Sequence, residues 1–279
     1  MARRTKSIAK RIFKYLIALA AIAFAYLAYV YLTLPDVRRL ADTNPTTTAF
    51  MELRIREAAD DGRKFQIRHR WVAYNQISAN LRRAVIVTED AGFYDHDGID
   101  LTELKASLEK NWEEGQLLRG GSTITQQLAK NLYLSPTRNP MRKVTELLIA
   151  RRLEEALSKR RIFEIYLNMI EWGDGLFGCE AAARAYFGGR CASLSVEQAA
   201  LLAGAIINPR EHSPAKPTRR LLRRQQIIIR RMGIKDTPPP AALPSPLPPP
   251  VNQTPPAPPP PTPQPFPLPP GNGSPPPTS

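Results

Sequence analysis

The chain has 279 residues, 29 of them proline, and 39 basic against 25 acidic side chains give it a formal charge of +14. Its first 35 and last 42 residues are unsuited to a soluble core, which leaves about 200 residues, enough for one folded domain. A charge this positive would ordinarily raise nucleic acid as a partner, but the membrane topology read from the N-terminus excludes it.

Arg3, Arg4, Lys6, Lys10, Arg11 and Lys14 crowd residues 1–14, and Tyr15–Leu34 follows without a single charge. At about 1.5 Å per residue, a helix of that length spans the hydrocarbon core of a bilayer. The positive-inside rule keeps the basic start in the cytoplasm and puts everything after Leu34 outside, with Tyr26, Tyr29 and Tyr31 as an interfacial aromatic belt. Ala21-Ile-Ala23 offers a cleavage pattern, but the apolar run continues past it at the length of an anchor rather than a signal peptide. Residues 35–69 read as a juxtamembrane region, 70–235 as the folded domain and 236–279 as a tail.

Within the domain the pattern is predominantly helical. A mixed segment runs from Phe65 to Ile77, and residues 80–88 read as a helix or, through Val85-Ile86-Val87, as a strand. Helices are predicted over 101–114, 123–134, 141–158, 161–171, 178–187, 195–207 and 218–232. Pro136, Gly188 and Pro209 act as stops, and Ser195 with Gln198 and Thr218 as caps. Eight basic residues lie between Lys216 and Lys235, with no acid between Glu211 and Asp236. That helix reads either as a solvated basic face or as a surface for lipid phosphates. From Pro238 to Ser279 there are 22 prolines and no charge, a composition with polyproline II character that serves as a spacer, a ligand for an aromatic-lined groove, or a dispensable tail.

The most informative stretch is Gly120-Gly-Ser-Thr-Ile-Thr-Gln-Gln-Leu-Ala-Lys-Asn-Leu132. Its glycines permit a sharp turn, and Thr123 with Gln126 fits the capping box that opens a helix. Gln126, Gln127 and Lys130 share one face, suited to an anion, while Ile124, Leu128 and Leu132 form the buried stripe. Upstream stands Glu89-Asp90-Ala-Gly-Phe93-Tyr-Asp-His96-Asp-Gly98-Ile-Asp100; downstream stand Arg142-Lys143-Val-Thr-Glu146, then Tyr166-Leu-Asn168 and the run from Gly173 to Gly188.

In that order these blocks resemble the signature blocks of the peptidoglycan glycosyltransferase family, over roughly residues 70 to 232 and most closely its monofunctional members. The resemblance implies a mainly α, lysozyme-like domain with a smaller membrane-facing lobe. It implies a substrate, lipid II and the growing lipid-linked glycan strand, polymerised with release of undecaprenyl pyrophosphate at the outer face of a bacterial cytoplasmic membrane. Glu89 then matches the catalytic base, working on the acceptor's 4-hydroxyl with a pKa tuned upward by burial beside Phe93. Glu146 matches the family's second acid, holding basic side chains or substrate in position. Lys130 and Arg138 match diphosphate-contacting cations, Arg142 and Lys143 belong to the same substrate-binding set, and Ser122, Thr123, Gln126 and Gln127 supply hydrogen bonds. Asp90 is placed with the substrate-binding residues or as an orienter of Glu89.

No tightly bound cofactor is expected and His96, taken as a lone His, supports no metal site, although Mg or Mn could assist at the substrate's pyrophosphate. The glycine block reads as architecture. Cell-wall synthesis or division proteins are candidate partners for the tail. An outside location permits a Cys179–Cys191 disulfide, yet the helical rise between them argues against it and makes Cys179 a small buried residue. Ser7-Ile-Ala-Lys10 and Ser107-Leu-Glu-Lys110 match the Ser-x-x-Lys pattern of an acyl-transfer domain, but no Lys-Thr-Gly accompanies them. A lytic enzyme would need an acid for the departing sugar oxygen rather than diphosphate-binding cations. An inactive scaffold would not need Glu89, Lys130, Arg138 and Glu146 intact.

Overall fold

The computed structural model describes residues 2–114, 121–134 and 140–233; Arg138 and the proline-rich tail lie outside the described residues. Helix α1, Ala2–Leu32, carries the predicted membrane span, its apolar part running Lys10–Leu32. Phe24 is 75% exposed and Leu32 81%, and Leu16, Ile22 and Tyr29 are likewise bare, so the partner this helix requires is lipid. Thr33 donates its hydroxyl to the Tyr29 carbonyl as the helix ends, two residues before Pro35.

Residues 35–69 join the core. Val37 and Leu40 are buried, and α2, Ala49–Asp60, follows with its N-terminus capped by Thr48, whose hydroxyl accepts from Met51 N at 3.0 Å. This helix was not predicted, because only Met51 and Ala58 are fully buried on it and its apolar stripe is too narrow to read. A charge pair docks it: Arg54, 14% exposed, holds Glu171, 4% exposed, with Nη2 to Oε2 at 2.8 Å.

The ambiguous segment 80–88 is helical: α3, Ala79–Glu89, buries Leu81, Ala84 and Val85. Then come α4, Leu101–Glu114, α5, Ile124–Tyr133, α6, Pro140–Ala156, and α7, Lys159–Met169. Almost every residue of α7 from Ile162 onward is buried, and α5 lies against α2, α6 and α7, which explains why Thr125, Gln126 and Asn131 are buried along with its apolar stripe. Helix α7 stops two residues earlier than predicted, because Ile170 turns extended and Glu171–Gly173 forms β2 instead.

A small sheet, order β1-β3-β2, completes the core from β1, Arg68–His69, β2, and β3, Leu176–Phe177, with β1 parallel and β2 antiparallel to β3. Asn168, fully buried, stitches this region to α7: its Oδ1 accepts from Val72 N, and its Nδ2 donates to the Val72 and Glu164 carbonyls, each at 2.9 Å. Gly178, at φ +82°, leaves no room for a side chain, since a Cβ there would sit 2.5 Å from the Asn168 carbonyl oxygen.

Helix α8, Cys179–Phe187, ends at the left-handed Gly188 as predicted. The chain then doubles back, and Cys191 forms a disulfide with Cys179, Cα to Cα 5.7 Å, against the sequence expectation. The expectation counted the helical rise but not the return. Extended residues cover about 3.3–3.6 Å each, so the short leg through Arg190 undoes a rise of about 1.5 Å per helical residue. Helix α9, Val196–Ala205, opens with the full Ser195–Gln198 capping box, and α10, Arg219–Arg231, is capped by Thr218, whose hydroxyl accepts from Leu221 N. Both α9 and α10 pack against α3.

Candidate active site

Glu89 occupies the last turn of α3, with Asp90 as the cap residue, so the two acids diverge. The side chain of Glu89 is 12% exposed. Gln127 donates Nε2 to its Oε2 at 3.0 Å, and in turn accepts from the Tyr166 hydroxyl at 2.9 Å. Arg224 of α10 stands 3.8 Å from Oε1. Burial pushes the Glu89 carboxyl above its ordinary value; the Gln127 hydrogen bond and the charges of Arg224 and Lys130 pull it partway back.

Asp90 points elsewhere. Its Oδ2 accepts from Ile124 N at 2.9 Å, placing a carboxylate on the first turn of α5, and its Oδ1 lies 3.0 Å from His96 Nε2. His96 Nδ1 accepts from Gly98 N, so the ring proton sits on Nε2 and is given to Asp90. His96 is therefore not a lone histidine: Asp90, His96 and Asp100 bring candidate ligand atoms within 4.8 Å of one another. Both imidazole nitrogens and both Asp90 oxygens are already engaged, and Asp100 caps Glu103 N, so the group is a latch joining the Glu89 loop to α5.

The N-terminus of α5 is only half the predicted capping box. The Thr123 hydroxyl accepts from Gln126 N as expected, but Gln126 does not reach back to Thr123. Its Nε2 donates to the Gly98 carbonyl at 3.0 Å and its Oε1 accepts from Lys143 Nζ at 3.0 Å. Thr123 also donates to the Gly98 carbonyl. Lys143 in addition donates to Ser122 Oγ at 3.3 Å and pairs with Glu146, whose Oε2 stands 3.3 Å from Arg142 Nη1. Glu146 is buried at 3% exposure, so it holds two cations of α6 over the start of α5.

Lys130, one turn beyond Gln126 and Gln127, forms no ion pair and no side-chain hydrogen bond among the described residues; its ammonium lies 5.9 Å from the Phe50 ring centre. Burial lowers its pKa; the charges of Glu146 and Glu89 act the other way, and those of Arg142 and Lys143 reinforce the lowering. It is a half-buried cation that feels both acids and is bound to neither. Thr88, Glu89, Asp90, Ser122 and Thr123 line a common cavity of about 250 Å³ with Glu103 and Arg231.

The predicted residues thus fall into two touching groups. Glu89 and Gln127 form one; Ser122, Gln126, Arg142, Lys143 and Glu146 form the other, with Lys130 sensing both and Asp90 and Thr123 holding the helix between them. Three further residues, Tyr166, Arg224 and Arg231, join the site through contacts between distant segments. Tyr166 reads as core and is fully buried, but its hydroxyl orients Gln127; a tyrosine where a phenylalanine would pack was the available signal. Arg224 and Arg231 come from the basic helix α10, whose packing on α3 no local pattern discloses.

Among the described residues, a mainly helical domain behind one apolar helix, with a buried carboxylate and a cluster of cations gathered around α5, defines a membrane-anchored enzyme for anionic substrates. The chain belongs to the transglycosylase family, whose model matches residues 57–233 and whose domain is lysozyme-like. It is similar to the biosynthetic peptidoglycan transglycosylase of Chromobacterium violaceum, 46% identical over 220 residues that cover 79% of this chain and 96% of that protein. The proteins of the same name from Laribacter hongkongensis and Nitrosomonas eutropha are 50% identical over 190 residues and 48% over 217. The first comparison covers 68% of this chain and 83% of the relative, the second 78% and 88%.

Proposed function

We propose that this protein is a peptidoglycan glycosyltransferase that polymerises lipid II into glycan strands, with Glu89 as its base. Family membership and the names of the relatives support the reaction. The observation that carries the residue roles is a buried Glu89, held by Gln127 and raised in pKa by its burial, within the charge field of Lys130, which forms no ion pair among the described residues.

Pyrophosphate departs without needing a proton, so the donor side demands cations and not an acid. Among the described residues Lys130 forms no ion pair and meets the developing negative charge, with Arg142 and Lys143 held close by Glu146, and Arg138 assigned to the same task from its sequence position. The acceptor's 4-hydroxyl must lose a proton as it attacks, and Glu89 takes it. Attack opposite the pyrophosphate inverts the anomeric centre, turning an α-linked donor into a β linkage and releasing undecaprenyl pyrophosphate. A divalent ion, if used, is held at the substrate's own diphosphate, since Glu89 is held by Gln127 and Glu146 by Lys143 and Arg142.

The basic residues in the first turns of α1, ahead of its uncharged run, support a cytoplasmic N-terminus and a catalytic domain on the outer face of the cytoplasmic membrane. Exposed Leu101 and Leu104 of α4 and Met141 at the start of α6 supply the apolar surface of the membrane-facing lobe. The test is incubation of the detergent-solubilised protein, and of its Glu89→Gln variant, with labelled lipid II. Lysozyme-digestible polymer from the wild type alone supports both reaction and base. Polymer from both removes Glu89 from the chemistry, and none from folded wild type removes the reaction.

A further inference from the structure

Helix α10 has two sharply different sides. Leu221, Gln225, Ile228, Ile229 and Met232 are buried, whereas Arg219, Arg220, Arg223, Ile227, Arg230 and Arg231 are exposed. Among the described residues the side chains of these five arginines make no ion pair and no hydrogen bond, and no acid interrupts them. Arg83 of α3 extends the row by bringing its guanidinium beside Gly233.

This arrangement works against the stability of the helix. Like charges three and four residues apart repel, and Arg219 and Arg220 put positive charge on the turn where the helix dipole favours acids. An external anion would relieve both penalties. Arg231 also lines the Glu89 cavity and Arg224 stands 3.8 Å from Glu89, so the row flanks the site and extends for about 18 Å at 1.5 Å per residue. One diphosphate cannot cover that length. A row of phosphates side by side can, and a bilayer surface presents one.

We infer that the exposed face of α10 docks on anionic phospholipid headgroups of the bilayer that holds α1. The inference rests on the lipid II reading, because a substrate whose diphosphate sits at headgroup depth obliges the cavity rim, and with it α10, to lie against that surface. The apolar side of α10 is occupied by α3 and α9, so the helix does not insert. It binds by charge, with Ile227 as a small apolar contact among the guanidiniums.

The experiment uses the full chain in proteoliposomes of phosphatidylethanolamine with and without phosphatidylglycerol. It compares wild type with the variant Arg219→Gln, Arg220→Gln, Arg223→Gln, Arg230→Gln, which spares Arg224 and Arg231. Adding phosphatidylglycerol lowers the wild-type KM for lipid II by about threefold or more, an effect weakened by salt, while the variant matches wild-type kcat and shows no such response. Identical behaviour of the two proteins overturns the inference and makes the row a solvated face. A KM raised equally in both bilayers also overturns it, assigning the row to the substrate's own diphosphate. A second readout needs no polymerisation: phosphatidylglycerol extracted with the protein in polymer-bounded membrane discs is enriched around wild type relative to the variant. Equal enrichment overturns the inference even if lipid II proves not to be the substrate.

Discussion

Glu89 is the base of the proposed reaction, and its surroundings set when it can act. Burial raises its carboxyl above the ordinary value, while Gln127, Arg224 and Lys130 favour the ionised form. A base acts only when ionised, so the rate falls as pH drops through this raised pKa, and the acid limb of kcat/KM lies above the usual glutamate range. Removing a group that stabilises the carboxylate raises the pKa further. Gln127→Leu and Arg224→Gln are therefore each expected to move the acid limb to higher pH, read from kcat/KM for lipid II across a pH series. If neither moves it, Glu89 is not the group that titrates. In the proposed reaction Lys130 acts on the donor half. Lys130→Met is expected to lower kcat roughly 10²- to 10³-fold with a smaller change in KM, because its charge matters most as the pyrophosphate leaves. A loss confined to KM would make it a ground-state binding residue.

At the scale of elements, α3 is the piece that places Glu89, the proposed base, and its far end is fixed by the disulfide loop. Ser78 N donates to the Cys191 carbonyl at 3.2 Å, and Ser78 Oγ and Asn80 Nδ2 donate to the Leu194 carbonyl. Cys191 N is itself held by Glu180 at 2.8 Å. Closing a loop with a sequence separation of 12 contributes about 2–4 kcal/mol. Replacing both cysteines by serine is expected to lower the denaturation midpoint accordingly, and reductant is expected to lower it in the wild type but not in the variant. A wild-type midpoint indifferent to reductant would mean that the pair does not form.

The same elements show what the sequence discloses and what it withholds. Helices α4 to α10 are legible because apolar residues recur at helical spacing and because Thr123, Ser195, Thr218 and Gly188 mark their ends. The segment 80–88 was ambiguous because Val85, Ile86 and Val87 favour a strand locally, and burial of Leu81, Ala84 and Val85 against other helices decides it. Glu89, Gln127, Lys130 and Glu146 are legible through the order of their blocks. Arg224, Tyr166 and the Asp90–His96 latch are not, since each depends on a contact between segments distant in sequence or on a direction taken by a side chain.

For the whole molecule, the question is how a site that acts on a lipid-linked substrate keeps a fixed height above the bilayer, and α6 supplies the connection. Its first turns carry Arg142, Lys143 and Glu146 at the site, and about 15 Å further along the same helix stands Arg152. The Arg152 guanidinium donates to the Tyr31 carbonyl at 2.8 Å and the Leu34 carbonyl at 3.3 Å, and lies 4.5 Å from the centre of the Tyr31 ring. The first is an orphan carbonyl of the last turn of α1 and the second lies two residues past its end, so one planar cation ties down the helix terminus and stacks on its aromatic neighbour. A lysine has neither the fork nor the plane to do both. The anchor is thereby joined to the helix that carries Arg142 and Lys143, the proposed diphosphate cations. In a bilayer, where the surface cannot adjust, loss of that joint misplaces the site relative to the diphosphate. Arg152→Ala is expected to reduce kcat/KM in proteoliposomes by about tenfold to a hundredfold, with Arg152→Lys between it and wild type. In detergent micelles, whose surface yields, both variants should approach wild-type rates. An equal loss in the two media would mean that Arg152 supports only the local fold, and no loss in either would leave α1 a tether and nothing more.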